Sequence, residues 1–218
     1  MHTDIGFSVA PFSIQYPFSG DVNKLKYRDN FRPVFGLGVS YKWFALRLAF
    51  SLPGNFRPVS RYGKTNQFNL GFDFTYKKTF FDIDLRSYFG YAIKDAYTWN
   101  DTLNSLKPND IRPNTNSISF SINAWYFHDR NFKMSALGGK TAHYTEEVHT
   151  WYLKSIFNVF GVGVGSGINT IIPDELRDSA ATKTGASLFS AVELGVVPGY
   201  AYVNKINNWQ FSGLLGLG

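Results

Sequence analysis

Phe68-Asn69-Leu70-Gly71-Phe72-Asp73-Phe74-Thr75-Tyr76 alternates without interruption. Every even position is large and apolar, and every odd position is polar or glycine. Residues two apart share one face of a strand, whereas a helix needs apolar residues every three or four positions. The stretch therefore reads as a β-strand with one apolar face and one small, polar face. After Lys77-Lys78-Thr79 the pattern restarts as Phe81-Asp82-Ile83-Asp84-Leu85-Arg86. Two such runs around a tight turn predict an antiparallel hairpin.

The same rhythm recurs along the chain. It appears in Ser117-Ile118-Ser119-Phe120-Ser121-Ile122-Asn123-Ala124-Trp125-Tyr126 and in Leu46-Arg47-Leu48-Ala49-Phe50-Ser51-Leu52. It appears with glycine on the small face in Phe35-Gly36-Leu37-Gly38-Val39-Ser40-Tyr41 and Phe160-Gly161-Val162-Gly163-Val164-Gly165. Such runs predict about ten strands, near 4–17, 33–43, 44–52, 66–78, 79–92, 116–128, 131–139, 150–168, 187–203 and 208–218. Lys42-Trp43, Lys77-Lys78-Thr79 and His128-Asp129-Arg130-Asn131 read as tight turns. The segments 18–32, 53–65, 93–115 and 140–149 read as longer polar loops. Strand parity puts the long segment 169–186 on the short-turn side. Within it, Ile172-Pro173-Asp174-Glu175-Leu176 reads as a short helical turn with proline near its start.

Composition narrows the class. Aromatic residues make up 18% of the 218 residues and charged residues only 17%, against about 25% charged in ordinary soluble domains. That mixture excludes a disordered chain and a helical bundle. Cysteine is absent, so disulfide scaffolds and zinc–thiolate sites are excluded. The net charge of +6 comes without a basic run, so no nucleic-acid partner is expected. No run is apolar enough for a transmembrane helix. The N-terminus lacks the basic and apolar regions of a signal peptide.

Alternation alone does not say which face meets water. A soluble sandwich turns its apolar face inward, and a membrane barrel turns it outward to lipid. Here the opposite face is Gly, Ser, Asn and Thr rather than the Lys and Glu of a soluble exterior. Aromatics gather at strand ends, as in Tyr41-Lys42-Trp43-Phe44, Trp125-Tyr126-Phe127, Trp151-Tyr152 and Trp209. Such rings form the girdles of membrane barrels. The expected fold is all-β: an antiparallel up-and-down transmembrane β-barrel forming one domain over 1–218. Phe68, Leu70, Phe72 and Phe74 would face lipid; Asn69, Asp73 and Thr75 would face the lumen. Backbone groups in lipid must all pair, so the sheet is expected to close.

Three stretches carry a resemblance. They are Val34-Phe35-Gly36-Leu37-Gly38-Val39-Ser40-Tyr41-Lys42-Trp43-Phe44-Ala45-Leu46, Asn131-Phe132-Lys133-Met134-Ser135-Ala136 and Gly195-Val196-Val197-Pro198-Gly199-Tyr200-Ala201-Tyr202. Over most of residues 30–218 the chain resembles a domain-of-unknown-function family of Gram-negative outer-membrane β-barrel proteins. The resemblance implies a barrel of about 12 strands in the bacterial outer membrane and brings no catalytic residues. The chain ends at Leu215-Gly216-Leu217-Gly218 without the terminal aromatic of outer-membrane proteins, so a C-terminal truncation is expected.

The alternation places Arg47, Asp73, Asp82, Asp84, Arg86, Lys133 and Glu193 on the small face. In a narrow lumen such charges must pair or be hydrated. They are expected to form a network that fills and rigidifies the barrel; the alternative is the selectivity ring of a narrow channel. Asp82 and Asp84, two apart on one face and about 6.6–7 Å between Cα atoms, can also couple as a catalytic pair. No nucleophile accompanies them.

His143-Tyr144-Thr145-Glu146-Glu147-Val148-His149 matches no zinc signature and reads as a solvated loop. His149 with Thr150 or Ser155 only imitates a lipase arrangement. The glycines 161, 163, 165 and 167 lack the Lys and Ser/Thr of a phosphate loop. Phe56, Tyr62, Tyr97 and Trp99, with Arg57 and Arg61, read as loop packing or a partner contact.

The expected function is that of a non-enzymatic structural or partner-binding barrel with a largely plugged lumen. A narrow channel and an outer-membrane lipid-modifying enzyme are the alternatives, with a soluble ligand-binding barrel as a third. No catalytic residue, cofactor or metal is expected. The partners are outer-membrane lipid and another outer-membrane or periplasmic protein.

Overall fold

Eleven antiparallel strands form one sheet: β1 (His2–Ser8), β2 (Phe12–Gln15), β3 (Lys24–Arg28), β4 (Arg32–Tyr41), β5 (Phe44–Ser51), β6 (Asn66–Tyr76), β7 (Thr79–Ile93), β8 (Asp110–Phe127), β9 (Val148–Val164), β10 (Leu188–Ile206) and β11 (Trp209–Gly216). The computed structural model describes residues 2–18, 22–137, 144, 146–165, 170–178, 182–207 and 209–218. The main path runs β1-β4-β5-β6-β7-β8-β9-β10-β11. The β2–β3 hairpin lies off it and joins through Tyr27↔Ile93 and Arg28↔Ala92 to the end of β7. β1 and β11 do not pair with each other, so the sheet is open along that seam and the expected closure is not seen.

The tight turns set the registers. Tyr41 pairs Phe44 around Lys42-Trp43, and Tyr76 pairs Thr79 around Lys77-Lys78. Lys42 (φ 50°) and Lys77 (φ 55°) take left-handed conformations, as does Asn207 (φ 55°) between β10 and β11. From the second turn follow Gly71↔Asp84 and Asp73↔Asp82.

The sheet curls with its small face inside. Ser8 Oγ on β1 lies 2.7 Å from the Tyr88 hydroxyl on β7, although four strand steps of about 4.8 Å separate them along the sheet. The outer face carries the large apolar side chains: on β10, Val192 is 63%, Leu194 75% and Val196 62% exposed. Phe68, Leu70, Phe72 and Phe74 lie on the outer face, because Asn69 and Asp73 share the inner face with Arg86 and Asp82.

The inner face is packed at both ends. At the long-loop end, Leu25 and Tyr27 of the β2–β3 hairpin bury with Phe18, Tyr88, Tyr91, Val162, Ile171 and Ile172. Tyr27 donates its hydroxyl to the Ile171 carbonyl at 2.6 Å, and Phe12 stacks on its ring at 4.4 Å. A β7 irregularity between Phe89 and Tyr91 turns Tyr91 inward only three residues after Tyr88. It needs Gly90 (φ 91°), where a Cβ would strike the Lys64 carbonyl oxygen. At the short-turn end, Phe127, Phe132, Ala136, Tyr144, Tyr152, Ala201 and Val203 form a second cluster.

Five sequence expectations are corrected. Residues 131–139 contain no strand: Met134–Ala136 is a 3-10 turn that buries Phe132 and Ala136 together. Six alternating residues are too few to separate a strand from a folded loop. Removing that strand shifts the parity, so 165–187 joins the long-loop end; its Asp174–Leu176 turn follows Pro173 as expected. The run 4–17 is two strands, broken before Pro11, which has no N–H to give a ladder. β3 lies within 18–32, read as loop, because Lys24, Lys26 and Arg28 mask the buried Leu25 and Tyr27. β9 also reverses: Val162 packs inward and Gly161 and Gly163 sit on the opposite face.

Asp29, just after β3, is 4% exposed and its Oδ2 has no hydrogen-bond partner. Burial pushes its carboxyl above the usual range, against the pull of the Asp29 and Ala10 backbone amides and of Arg57 and Arg28. A folded-state value above the unfolded one means stability is present at low pH and lost as pH rises through the raised value. Asp29→Asn is therefore expected to unfold at a higher temperature than wild type near about pH 7 and at the same temperature near about pH 3.5. Paired thermal melts at the two pH values check this; a variant less stable at neutral pH would show the carboxylate to be a net stabiliser.

Candidate functional site on the inner face

A row of cross-strand partners runs around the middle of the inner face. It reads Gly38 (β4), Arg47 (β5), Gly71 (β6), Asp84 (β7), Ser121 (β8), Asn158 (β9) and Glu193 (β10). The next row toward the short turns holds Ala45, Asp73, Asp82 and Asn123. Arg47 lies across Gly71 to reach the carboxylates beyond. A Cβ on Gly71 would sit 2.9 Å from both Arg47 Nε and Asp84 Oδ1. Glycine at 71 is thus the space that the guanidinium occupies.

Arg47 Nη2 donates to Asp82 Oδ1 at 2.8 Å. The same nitrogen is 3.7 Å from Asp73 and 3.9 Å from Asp84. Arg86 Nη2 approaches the other oxygen of Asp84 at 3.6 Å. Two cations thus serve three carboxylates. The side chains of Arg47 and Arg86 are 47% and 54% exposed and those of the aspartates 21–23%. Water reaches the guanidiniums, so each pair contributes about 0–1 kcal/mol rather than the several expected for a buried one.

Arg47, Asp73, Asp82, Asp84 and Arg86 therefore meet in one cluster. Glu193 does not join it: three strands away from Asp84, it accepts a hydrogen bond from Asn158 Nδ2 at 2.8 Å. Lys133 is also elsewhere. It lies on the β8–β9 loop, where its N–H donates to the Tyr144 hydroxyl at 2.7 Å. Its misplacement follows from the strand that residues 131–139 do not form.

Asp82 and Asp84 share the Arg47 guanidinium. No group of three or more His, Asp or Glu residues among the described residues is placed to hold a metal. His143 and Thr145 lie outside the described residues, as does Gly167. His149 packs against the Tyr200 ring at 6.0 Å, and Ser155 is six residues away, about 20 Å along a strand. Thr150 is buried and takes the Asp129 N–H. Of the loop aromatics, Tyr62 packs against Arg57 and Arg61, and Phe56 against Phe31 and Phe7. Trp99 packs on the long-loop core instead.

Two groups of residues escaped sequence reading. Gly71 is legible in hindsight from the turn at Lys77-Lys78, which fixes it opposite Asp84. The cations that gather at the short-turn mouth, Lys78 on one connection and Arg130 and Lys133 on another, carry no local signal.

Residues 6–218 match the family model described as Domain of unknown function (DUF4421). No curated protein and no solved structure matches the chain.

Arg47→Met leaves Asp73, Asp82 and Asp84 crowded around one remaining cation. The variant is expected to lose about 1 kcal/mol near neutral pH at low ionic strength, and the loss should shrink in about 1 M salt, which screens exposed charges. Gly71→Val should give the same loss by displacing Arg47. Denaturant unfolding followed by tryptophan fluorescence measures both; equal stability of all three proteins at neutral pH would dismiss the cluster as a stabilising element.

Proposed function

We propose that this chain, which belongs to the Domain of unknown function (DUF4421) family, is a non-enzymatic outer-membrane β-barrel protein with a structural or partner-binding role. The carrying observation is the inverted curl of the sheet: small and polar residues inside, Val192, Leu194 and Val196 bare on the outside. Exposed apolar surface costs about 25 cal/mol per Å² in water, and lipid removes that cost. β7 to β10 are 15–19 residues long, beyond the about 9–11 that cross a bilayer. The surplus projects the long loops away from the membrane.

The short-turn end supports the same reading. Tyr41, Trp43, Tyr76, Tyr126, Trp151, Tyr200 and Trp209 sit exposed there, as in an interfacial girdle. Lys42 and Lys77 lie over the Tyr41 and Tyr76 rings at 5.2 Å. In this reading the β1 and β11 edges are paired within the membrane, because unpaired amides in lipid cost several kcal/mol each. The packed long-loop end favours a plugged barrel over a pore.

Two measurements test the proposal. Phe120 and Ser121 are neighbours on β8 with opposite faces, Ser121 opposite Asp84. Phe120→Arg is expected to cost about 2–4 kcal/mol on refolding into lipid and Ser121→Arg much less. Equal tolerance of the two, or full recovery of the wild type without detergent, would defeat the membrane reading. In planar bilayers the wild type should give little or no conductance. A large, steady current would replace the plugged barrel by a channel, which the water-accessible guanidiniums of Arg47 and Arg86 would line.

A further inference from the structure

We propose that the short-turn mouth of the inner face is a binding site for a phosphate-headed amphiphile. A cavity of about 730 Å³ opens there, within the range of about 300–1,000 Å³ typical of small-molecule sites. Lys78, Arg130 and Lys133 line it from two separate connections, with Lys42 and Lys77 on its rim. Among the described residues the one carboxylate on its lining, Asp73, is 3.7 Å from Arg47. Five of the chain's 22 Lys and Arg residues thus meet around a single, already paired acid.

The Lys78 ammonium and the backbone that carries Arg130 and Lys133 are held in place before any ligand arrives. Lys78 Nζ donates to the His128 carbonyl at 2.6 Å. That acceptor is neutral, so the charge stays uncompensated and two ammonium protons remain to donate. The loop carrying Arg130 and Lys133 is pinned at several points. The Asp129 N–H donates to Thr150 Oγ1 at 2.9 Å, and the Asp129 carboxylate accepts from the Asn131 N–H at 2.8 Å. The Tyr144 hydroxyl takes the Lys133 N–H, and Ser212 Oγ on β11 donates to the Ala136 carbonyl at 2.9 Å. Preorganised donors lose less entropy on binding an anion. Lysine ammoniums and an arginine fork suit phosphate oxygens.

Apolar side chains form most of the remaining wall, Phe80, Phe127, Phe132, Met134 and Leu137 among them, with the hydroxyls of Ser40, Thr75 and Ser135 between. A sugar or nucleotide would leave that surface unused and its own polar groups unpaired. An acyl chain beneath a phosphate satisfies both halves of the wall.

The experiment titrates the refolded full chain with dihexanoyl phosphatidate by calorimetry, beside dihexanoyl phosphatidylcholine and inorganic phosphate. Phosphatidate is expected to bind at least roughly tenfold more tightly than either control. The double variant Arg130→Gln, Lys133→Gln, checked for an unchanged circular-dichroism spectrum, should lose roughly tenfold in affinity. Binding of inorganic phosphate as tight as that of phosphatidate would reduce the site to a simple anion contact and overturn the proposal. Equal binding of the zwitterionic lipid, no binding of any probe, or an undiminished double variant would overturn it as well. The titration is independent of the membrane reading: a chain recovered without detergent is titrated in plain buffer.

Discussion

Curling a sheet shortens its inner surface, and side chains standing upright there would collide. The protein meets this constraint by laying large inner side chains flat across glycines on the next strand. Asp4 lies over Gly36, and Arg47 over Gly71. Tyr152 lies over Gly199 and reaches Gly216 two strands away. At each site a Cβ would overlap the neighbour or crowd it below 3 Å. The glycines are therefore the complement of specific side chains rather than general flexibility. The ion cluster, the curl and the exposed outer face all depend on that arrangement.

The same geometry explains what could be read from sequence. The alternation over 68–76 and its restart after Lys77-Lys78 define two strands, their register and their faces. The turn at Lys42-Trp43 does the same for β4 and β5, placing Gly38 opposite Arg47. What joins the two hairpins is the β5–β6 register, and a connection from Leu52 to Thr65 separates those strands. No local signal sets the alignment of Arg47 with Gly71. It is set in part by Arg32, whose guanidinium donates to the Leu52, Gly54 and Thr65 carbonyls and to Asn66 Oδ1. An arginine that binds carbonyls 20 to 33 residues downstream leaves no periodic trace. The misread segments share this origin: 131–139 and β3 take their conformations from the packed ends, not from their own pattern.

The two ends differ chemically. The long-loop end is closed by aromatic and aliphatic packing, with Tyr27, Tyr91 and Ile171 wholly or almost wholly buried. The short-turn end is half filled by the Phe132–Ala136 cluster and bordered by cations. Between them the ion cluster is reached by water. The inner face thus runs from an apolar, packed end through a water-accessible ion cluster to a basic mouth.

The position of the β2–β3 hairpin has a consequence for how the molecule assembles. Every link on the main path after β4 joins strands that follow one another in sequence, so the meander can grow one hairpin at a time from short-range contacts. β3, by contrast, needs the far end of β7, some 65 residues later in the chain. Closing so long a loop carries its entropy cost before any contact compensates for it. On that ground the β2–β3 hairpin, local in its own pairing, is expected to dock after the strands that receive it. Until it docks, the long-loop end of the inner face stands unstoppered, and the sheet that receives it is already built.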